Sequence, residues 1–160
     1  MKVGSTNFLK IAVILLGIPI LAFCIFGLPT LVKAALESNS EFAYVLYAIV
    51  IVMSVSMIPY FVALYQAFKL LSIIDKNKAF SDVSVKCLKV VKYCAIIISS
   101  LYVVGLPFIF TFAHLDDAPG VVLIGMVVIF ASMIIAVFAA VLQRLLQEAI
   151  HIKLENDLTV

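Results

Sequence analysis

Four long apolar runs constrain the fold of this chain. They cover residues 11–32, 42–68, 93–113 and 121–142, and none contains Asp, Glu, Lys, Arg or His. An α-helix needs about 20 residues to cross ~30 Å of hydrocarbon, whereas barrel strands would alternate over shorter segments. Because 66% of the residues are hydrophobic and 12% charged, a soluble core could not hide this apolar surface. We predict an all-α integral membrane four-helix bundle, with residues 1–160 forming a single transmembrane domain.

The basic residues are distributed unevenly about these runs. Ten of the eleven Lys and Arg residues lie before the first run, between the second and third, or after the fourth, and Lys33 alone lies elsewhere. Since Lys-rich and Arg-rich loops remain in the cytoplasm, we predict that both termini are cytoplasmic. The polar segments on that side are a connector, residues 71–92, and a tail, residues 143–160.

The two halves of the chain share a weak pattern. A Leu-Lys pair opens the first and third runs, and a Gly-Leu-Pro triplet follows about eighteen residues later. Two hairpins related by duplication would explain this pattern, and so would chance similarity between apolar segments. In either case, Gly27 and Gly105 would let a neighbouring helix approach a proline bend.

The apolar runs contain serine and threonine hydroxyls and several small side chains. We expect the serine and threonine hydroxyls to bond their own helix or a neighbouring one, in preference to forming a substrate site. Ser132, Ala136 and Ala140 lie four residues apart, which predicts a helix-packing stripe. That stripe would serve within one chain or between two copies, so homo-oligomerisation stays open.

Residues suited to chemistry are scarce. His114, Asp116 and Asp117 could hold a divalent ion weakly, but the preferred interpretation is that Asp117 caps the fourth helix. No nucleophile–base pair, phosphate-binding loop or zinc-ligand spacing is present, and the three cysteines match no redox motif. We therefore predict no catalytic residues, no cofactor, no metal site and no enzymatic activity.

The connector carries a helix start and a row of lysines. Ser81 is the expected N-cap. Lys86, Lys89 and Lys92 then recur every third residue, so they share one flank of the helix. Anionic lipid headgroups would attract each of these lysines by about 1 kcal/mol, and docking of a protein is the alternative interpretation.

The tail has helical periodicity, with an apolar stripe and charges at i, i+4, including Arg144 with Glu148 and Lys153 with Asp157. We therefore predict that the fourth helix continues into the cytoplasm as an amphipathic extension. A helix with an exposed apolar stripe suits recognition in a groove of another protein. The candidate partner surface consists of Leu145, Ala149, Leu154, Glu155, Asn156 and Asp157.

Two short sequences make the chain similar to a known group of proteins. They are Lys78-Ala79-Phe80-Ser81 and the ending Lys153-Leu154-Glu155-Asn156-Asp157-Leu158-Thr159-Val160. With four spans of this spacing, the chain resembles the YoaS-like bacterial membrane proteins, a domain-of-unknown-function family. The resemblance implies a multi-pass protein of the bacterial inner (plasma) membrane. It also suggests a small helix-turn-helix regulator as partner, and it assigns no residue a role.

The leading functional hypothesis is a regulatory or interaction protein that presents its connector and tail to a cytosolic partner. Its partners would be the lipid bilayer and that cytosolic protein, with no direct binding of nucleic acid. A small transporter or channel subunit is the alternative, because proline-bent helices and a duplication would suit transport.

Overall fold

The structure, a computed structural model, describes residues 3–76 and 78–159, and within them the regular elements are all helical. The helical elements follow one another along the chain as α1 (Val3–Ala22), a π-helical turn (Phe23–Gly27), α2 (Leu28–Glu37), α3 (Ser40–Asp75), α4 (Asp82–Leu115) and α5 (Gly120–Thr159). The π-helical turn joins α1 and α2 into one rod. The last residue of the predicted tail, 160, lies outside the described residues.

Four helices are long and apolar enough to cross a membrane, which confirms the predicted all-α, four-span architecture. They are Asn7–Glu37, Glu41–Asp75, Asp82–Leu115 and Gly120–Leu158. Each is longer than the ~20 residues that hydrocarbon requires. The additional turns therefore extend the helices beyond the apolar runs, most of all at the end of α5.

Short polar side chains begin two of these helices. The Asn39 side chain accepts a hydrogen bond from the Phe42 N–H at 2.9 Å, ahead of α3. Ser81 accepts one from the Ser84 N–H at 3.4 Å, ahead of α4. Such caps satisfy amide groups that have no partner within the helix. The prediction of Ser81 as an N-cap is confirmed.

The prediction that Asp117 caps the fourth helix is wrong. Asp117 has a φ of 50°, and the Ala118 N–H donates back to the Ala113 carbonyl at 2.9 Å. This is the bonding of a Schellman motif, in which a left-handed residue ends a helix. Asp117 therefore terminates α4, since a short polar residue tolerates that conformation. α5 begins only at Gly120.

The four spans pack in chain order and do not close into a full bundle. The rod of α1 and α2 packs on α3, α3 packs on α4, and α4 packs on α5, while no extensive contact joins the first rod to α5 within the described residues. Lipid tails are as apolar as a helix surface, so the hydrophobic effect does not force the row to close. α4 consequently carries much of the buried surface.

Hydrogen bonds connect helices that are neighbours in this row. The Ser56 hydroxyl donates to the Met53 carbonyl at 2.8 Å and lies 3.2 Å from the Tyr102 hydroxyl of α4. Because the single Ser56 proton is already used, Tyr102 donates to Ser56. Such bonds are the expected role of buried hydroxyls between membrane helices.

Glycine permits close approach at one of the two predicted positions. A Cβ at Gly105 would lie 3.3 Å from the Val52 side chain of α3, so this glycine does bring two helices together. At Gly27, a Cβ would meet the Phe23 ring of its own π-helical turn at 2.7 Å. The expectation for Gly27 is therefore wrong, because the π-helical turn folds Phe23 back over it.

Candidate functional site

One end of the molecule gathers most of the charged side chains. α1 begins there and α3 ends there, as the contact between Lys10 and Asp75 shows. The start of α4 and the second half of α5 meet at the same end, where Asp82 and Gln143 line a common cleft. We call this the basic end, since the lysines of the connector lie on it.

An ion pair joins the first two spans at the basic end. Lys10 Nζ lies 2.6 Å from Asp75 Oδ2, and it also lies 5.6 Å from the centre of the Phe68 ring. Both charged side chains are largely covered. This pair was not predicted from the sequence, although Asp75 is the one acidic residue between Glu41 and Asp82. An isolated acidic residue at the end of a span was the available signal.

A polar cleft of about 350 Å³ separates the start of α4 from the second half of α5. Its lining residues are Asp82, Val85, Lys86 and Lys89 of α4, and Gln143, Gln147 and Ile150 of α5. Gln143 Oε1 is buried, with no hydrogen-bond partner among the described residues. A buried carbonyl oxygen of this kind needs a donor to offset its desolvation.

An apolar groove of about 380 Å³ follows the polar cleft along the same two helices. Its lining residues are Lys92, Ile96, Ser99 and Ser100 of α4, and Met133, Ala136, Val137 and Ala140 of α5. On each helix the cleft and groove residues recur every three or four positions, which places them on one face. The cleft and the groove therefore form one continuous channel along the side of the α4–α5 pair.

The three lysines of the connector occupy different positions along this channel. Lys86 and Lys89 line the polar cleft. Lys92 lines the apolar groove, and its Nζ lies 4.8 Å from the centre of the Tyr93 ring. A cation over an aromatic face is stabilised by the ring quadrupole. Whether the three contact lipid headgroups stays a prediction.

The predicted packing stripe of α5 lies only partly in the interface within this chain, and packing between copies stays a prediction. Ser132 is buried, but Ala136 and Ala140 are only half-buried, because they line the apolar groove. Ala139 is the small residue that is buried there, with 4% of its surface exposed. Residues spaced by four move gradually around a helix with 3.6 residues per turn. Residues that stay on one face are therefore spaced alternately by three and by four.

α5 continues without a break through the predicted tail as far as Thr159. Arg144 Nε lies 3.6 Å from Glu148 Oε1, which confirms that predicted pair, and His151 Nε2 lies 3.1 Å from Glu155 Oε1. Ala149 is half-buried. Every residue from 151 to 158 is exposed, which includes Leu154 and Asp157 of the candidate partner surface. Leu145 is exposed as well. The partner role of these residues stays a prediction.

A second cavity lies between the spans, toward the opposite end. It has a volume of about 350 Å³, and all four spans contribute to it, through residues such as Phe23, Met53, Tyr102 and Val128. Its lining is apolar apart from the Tyr102 hydroxyl. Within the described residues, no three His, Cys, Asp or Glu side chains are placed to hold a metal ion.

These features define a class: a small, all-helical, multi-pass membrane protein. The chain belongs to the family described as "Protein of unknown function (DUF2975)", whose model matches residues 30–160. It is similar to the uncharacterized membrane protein YoaS of Bacillus subtilis (strain 168), with 60% identity over 156 residues and 98% of each chain covered. The resemblance to YoaS-like proteins is thereby confirmed. No solved structure matches the chain.

Proposed function

We propose that this chain resides in the bacterial inner membrane and regulates or recruits a cytosolic protein through the protruding end of α5. In this proposal the basic end lies in the cytoplasm, following the distribution of Lys and Arg. One observation carries the proposal. α4 accompanies α5 as far as Ile150 in the polar cleft, and residues 151–158 extend beyond it with every side chain exposed.

The protruding segment has the chemistry of a peptide ligand. Leu154 and Leu158 are 56% and 86% exposed and lie one helical turn apart. Apolar residues at i and i+4 are the anchors that a helix inserts into a groove of a partner. Water solvates these side chains unfavourably, so a partner that covers them would gain free energy on binding.

The charge of the segment favours a basic partner. Within residues 151–158, Glu155 and Asp157 stand against Lys153 alone. An acidic tip is repelled by the anionic inner leaflet of the membrane, which favours an upright position over one against the headgroups. Small DNA-binding proteins carry a basic surface. A helix-turn-helix regulator is therefore complementary in charge to the tip, and it is also the partner that the family resemblance suggests.

The connector offers a second, smaller contact beside the tail. α3 ends at Asp75 and α4 begins at Asp82, and the Ser81 hydroxyl donates to the Lys78 carbonyl at 2.7 Å. Residues 78–81 therefore have a defined conformation. Phe80 is exposed on it. In this proposal the partner binds the tail and rests against this turn.

Deletion of residues 153–160 tests the proposal. The truncated and full-length chains would be purified from their native cells under mild detergent, and copurifying proteins identified by mass spectrometry. We expect a small basic DNA-binding protein with the full chain only, while membrane insertion and the melting temperature stay unchanged. Equal capture by both chains, together with full complementation of a deletion strain by the truncated chain, would contradict the proposal.

Point variants separate the anchors from general apolar surface. Leu154→Ala/Leu158→Ala should abolish capture. Leu123→Ala/Val127→Ala removes two exposed apolar side chains at the same i, i+4 spacing within the span, and it should leave capture intact. Equal losses from the two double variants would indicate that the tail anchors are not specific.

A small transporter or channel subunit is the alternative function, and the apolar cavity shared by all four spans favours it. Three spans each have a proline within two residues of the cavity lining, where it interrupts the hydrogen bonding of the helix: Pro19, Pro59 and Pro107. Solute flux into proteoliposomes containing the purified chain would support this alternative. Tyr102→Phe, which alters the polar group of the cavity, should then change the rate.

A further inference from the structure

We infer that the channel along the side of the α4–α5 pair binds one anionic phospholipid with a glycerol phosphate headgroup. The headgroup occupies the polar cleft, and an acyl chain lies in the apolar groove. This inference is independent of the tail proposal. The cleft and the groove lie where α4 and α5 run side by side, whereas the proposed partner binds the part of α5 that extends beyond α4. Three observations carry it: the charge of the cleft, its buried acceptor and its apolar continuation.

The charge of the cleft selects an anion. Lys86 and Lys89 line it together with the single carboxylate of Asp82, so the lining carries a net positive charge. Both lysines are exposed, and their ammonium groups can donate to phosphate oxygens. The Asp82 carboxylate opposes a bare anion. It therefore favours a singly charged phosphodiester with headgroup hydroxyls over inorganic phosphate, which carries more negative charge at neutral pH.

The buried oxygen of Gln143 indicates that the part of the headgroup beyond the phosphate carries hydrogen-bond donors. Gln143 lines the cleft, and its buried Oε1 has no hydrogen-bond partner among residues 3–76 and 78–159. The terminal glycerol of a phosphatidylglycerol headgroup has two hydroxyls, which can donate to Gln143 and Asp82. A phosphocholine headgroup has no such donor, and its net charge is zero. The cleft therefore distinguishes the two lipids by charge and by hydrogen bonding.

The apolar continuation requires a ligand with a hydrocarbon chain. Ala136 and Ala140 form the α5 side of the groove, opposite Ile96 of α4. Their small side chains leave room between helices that are in full contact at Ala139. Because the groove begins at Lys92, directly after the lysines of the cleft, one lipid molecule can span both parts.

Native mass spectrometry of the purified full-length chain in detergent tests this inference. The probes are dioleoyl phosphatidylglycerol and dioleoyl phosphatidylcholine, which have identical chains, and free glycerol phosphate. We expect one tightly retained phosphatidylglycerol. Since each basic residue near an anionic lipid changes affinity about five-fold, Lys86→Gln/Lys89→Gln should weaken binding about thirty-fold. Lys76→Gln/Lys78→Gln removes the same charge from exposed lysines outside the cleft and should have little effect.

A second variant tests the apolar groove without changing any charge. Ala136→Leu fills the groove at a half-buried position, so the chain should fold while losing the retained lipid. If Lys86→Gln/Lys89→Gln fails to insert, this variant and the preference between the two lipids still decide the question. Equal retention of both lipids, equal losses from the two lysine pairs, or full retention by Ala136→Leu would each overturn the inference. Displacement of the lipid by free glycerol phosphate at equal concentration would do the same, because a soluble anion would then be the ligand.

Discussion

Lys10 and Asp75 join the first two spans by an ion pair of 2.6 Å, with their side chains 21% and 17% exposed. Sixty-five positions separate them in the chain. A second polar contact between the first rod and α3 is the hydrogen bond from the Tyr60 hydroxyl to the Leu16 carbonyl. The pair therefore contributes to holding that rod in place.

Removing one partner of this pair should destabilise the protein. We expect Lys10→Gln or Asp75→Asn to lower the free energy of unfolding by about 1–2 kcal/mol, between the values for exposed and for buried pairs. Thermal unfolding in detergent measures the effect. In a double-mutant cycle, Lys10→Gln/Asp75→Asn should cost less than the sum of the single changes. Strict additivity would show that the two residues do not interact.

Tyr60 anchors the first rod to α3 within the apolar spans. Its hydroxyl donates to the Leu16 carbonyl at 2.8 Å, one turn before Pro19, where the missing proline N–H disturbs the helix. Tyr60→Phe should cost about 0.6 kcal/mol, the mean for hydrogen bonds between membrane helices. Tyr65→Phe is the matched control, since Tyr65 lies on the same helix and is 64% exposed. Equal melting temperatures for both variants would contradict the anchoring role.

Two alanines of α5 that lie three positions apart should respond differently to substitution. Ala139 is buried, so Ala139→Leu forces extra atoms into a packed interface and should cost about 1–3 kcal/mol. Ala136 lines the apolar groove, so Ala136→Leu should change stability by less than about 0.5 kcal/mol. Melting temperatures of the two purified variants in detergent check the order. The reverse order would restore the stripe that the four-residue spacing predicts.

Cysteine accessibility tests the topology, in a chain whose three native cysteines are replaced by alanine. Single cysteines at Ser38 and Ala118 should react with an impermeant thiol reagent on intact cells. Cysteines at Lys76 and Asn156 should react only after the membrane is permeabilised. Labelling of position 76 from outside would contradict a cytoplasmic basic end and, with it, the partner proposal.

The sequence alone determined the number of spans, their helical conformation and the unbroken continuation of α5 into the tail. These properties are local. Hydrocarbon thickness sets the length of each run, hydrogen bonding within each helix satisfies the backbone in lipid, and a single side chain such as Ser81 begins a helix. The pair of Arg144 with Glu148 was predictable for the same reason, because helical spacing alone brings it together.

The tertiary structure decided which faces of the helices meet. In a soluble protein, polar residues mark the outside of a helix, but here lipid and protein present equally apolar surroundings. Ala136 and Ala139 are therefore alike in sequence, although one lines a groove and the other is buried. The Lys10–Asp75 pair, the open row of spans and the channel from Lys86 to Ala140 likewise depend on packing between distant segments. Hydropathy carries no information about that packing, because the burial of an apolar side chain against lipid and against protein has nearly the same free energy.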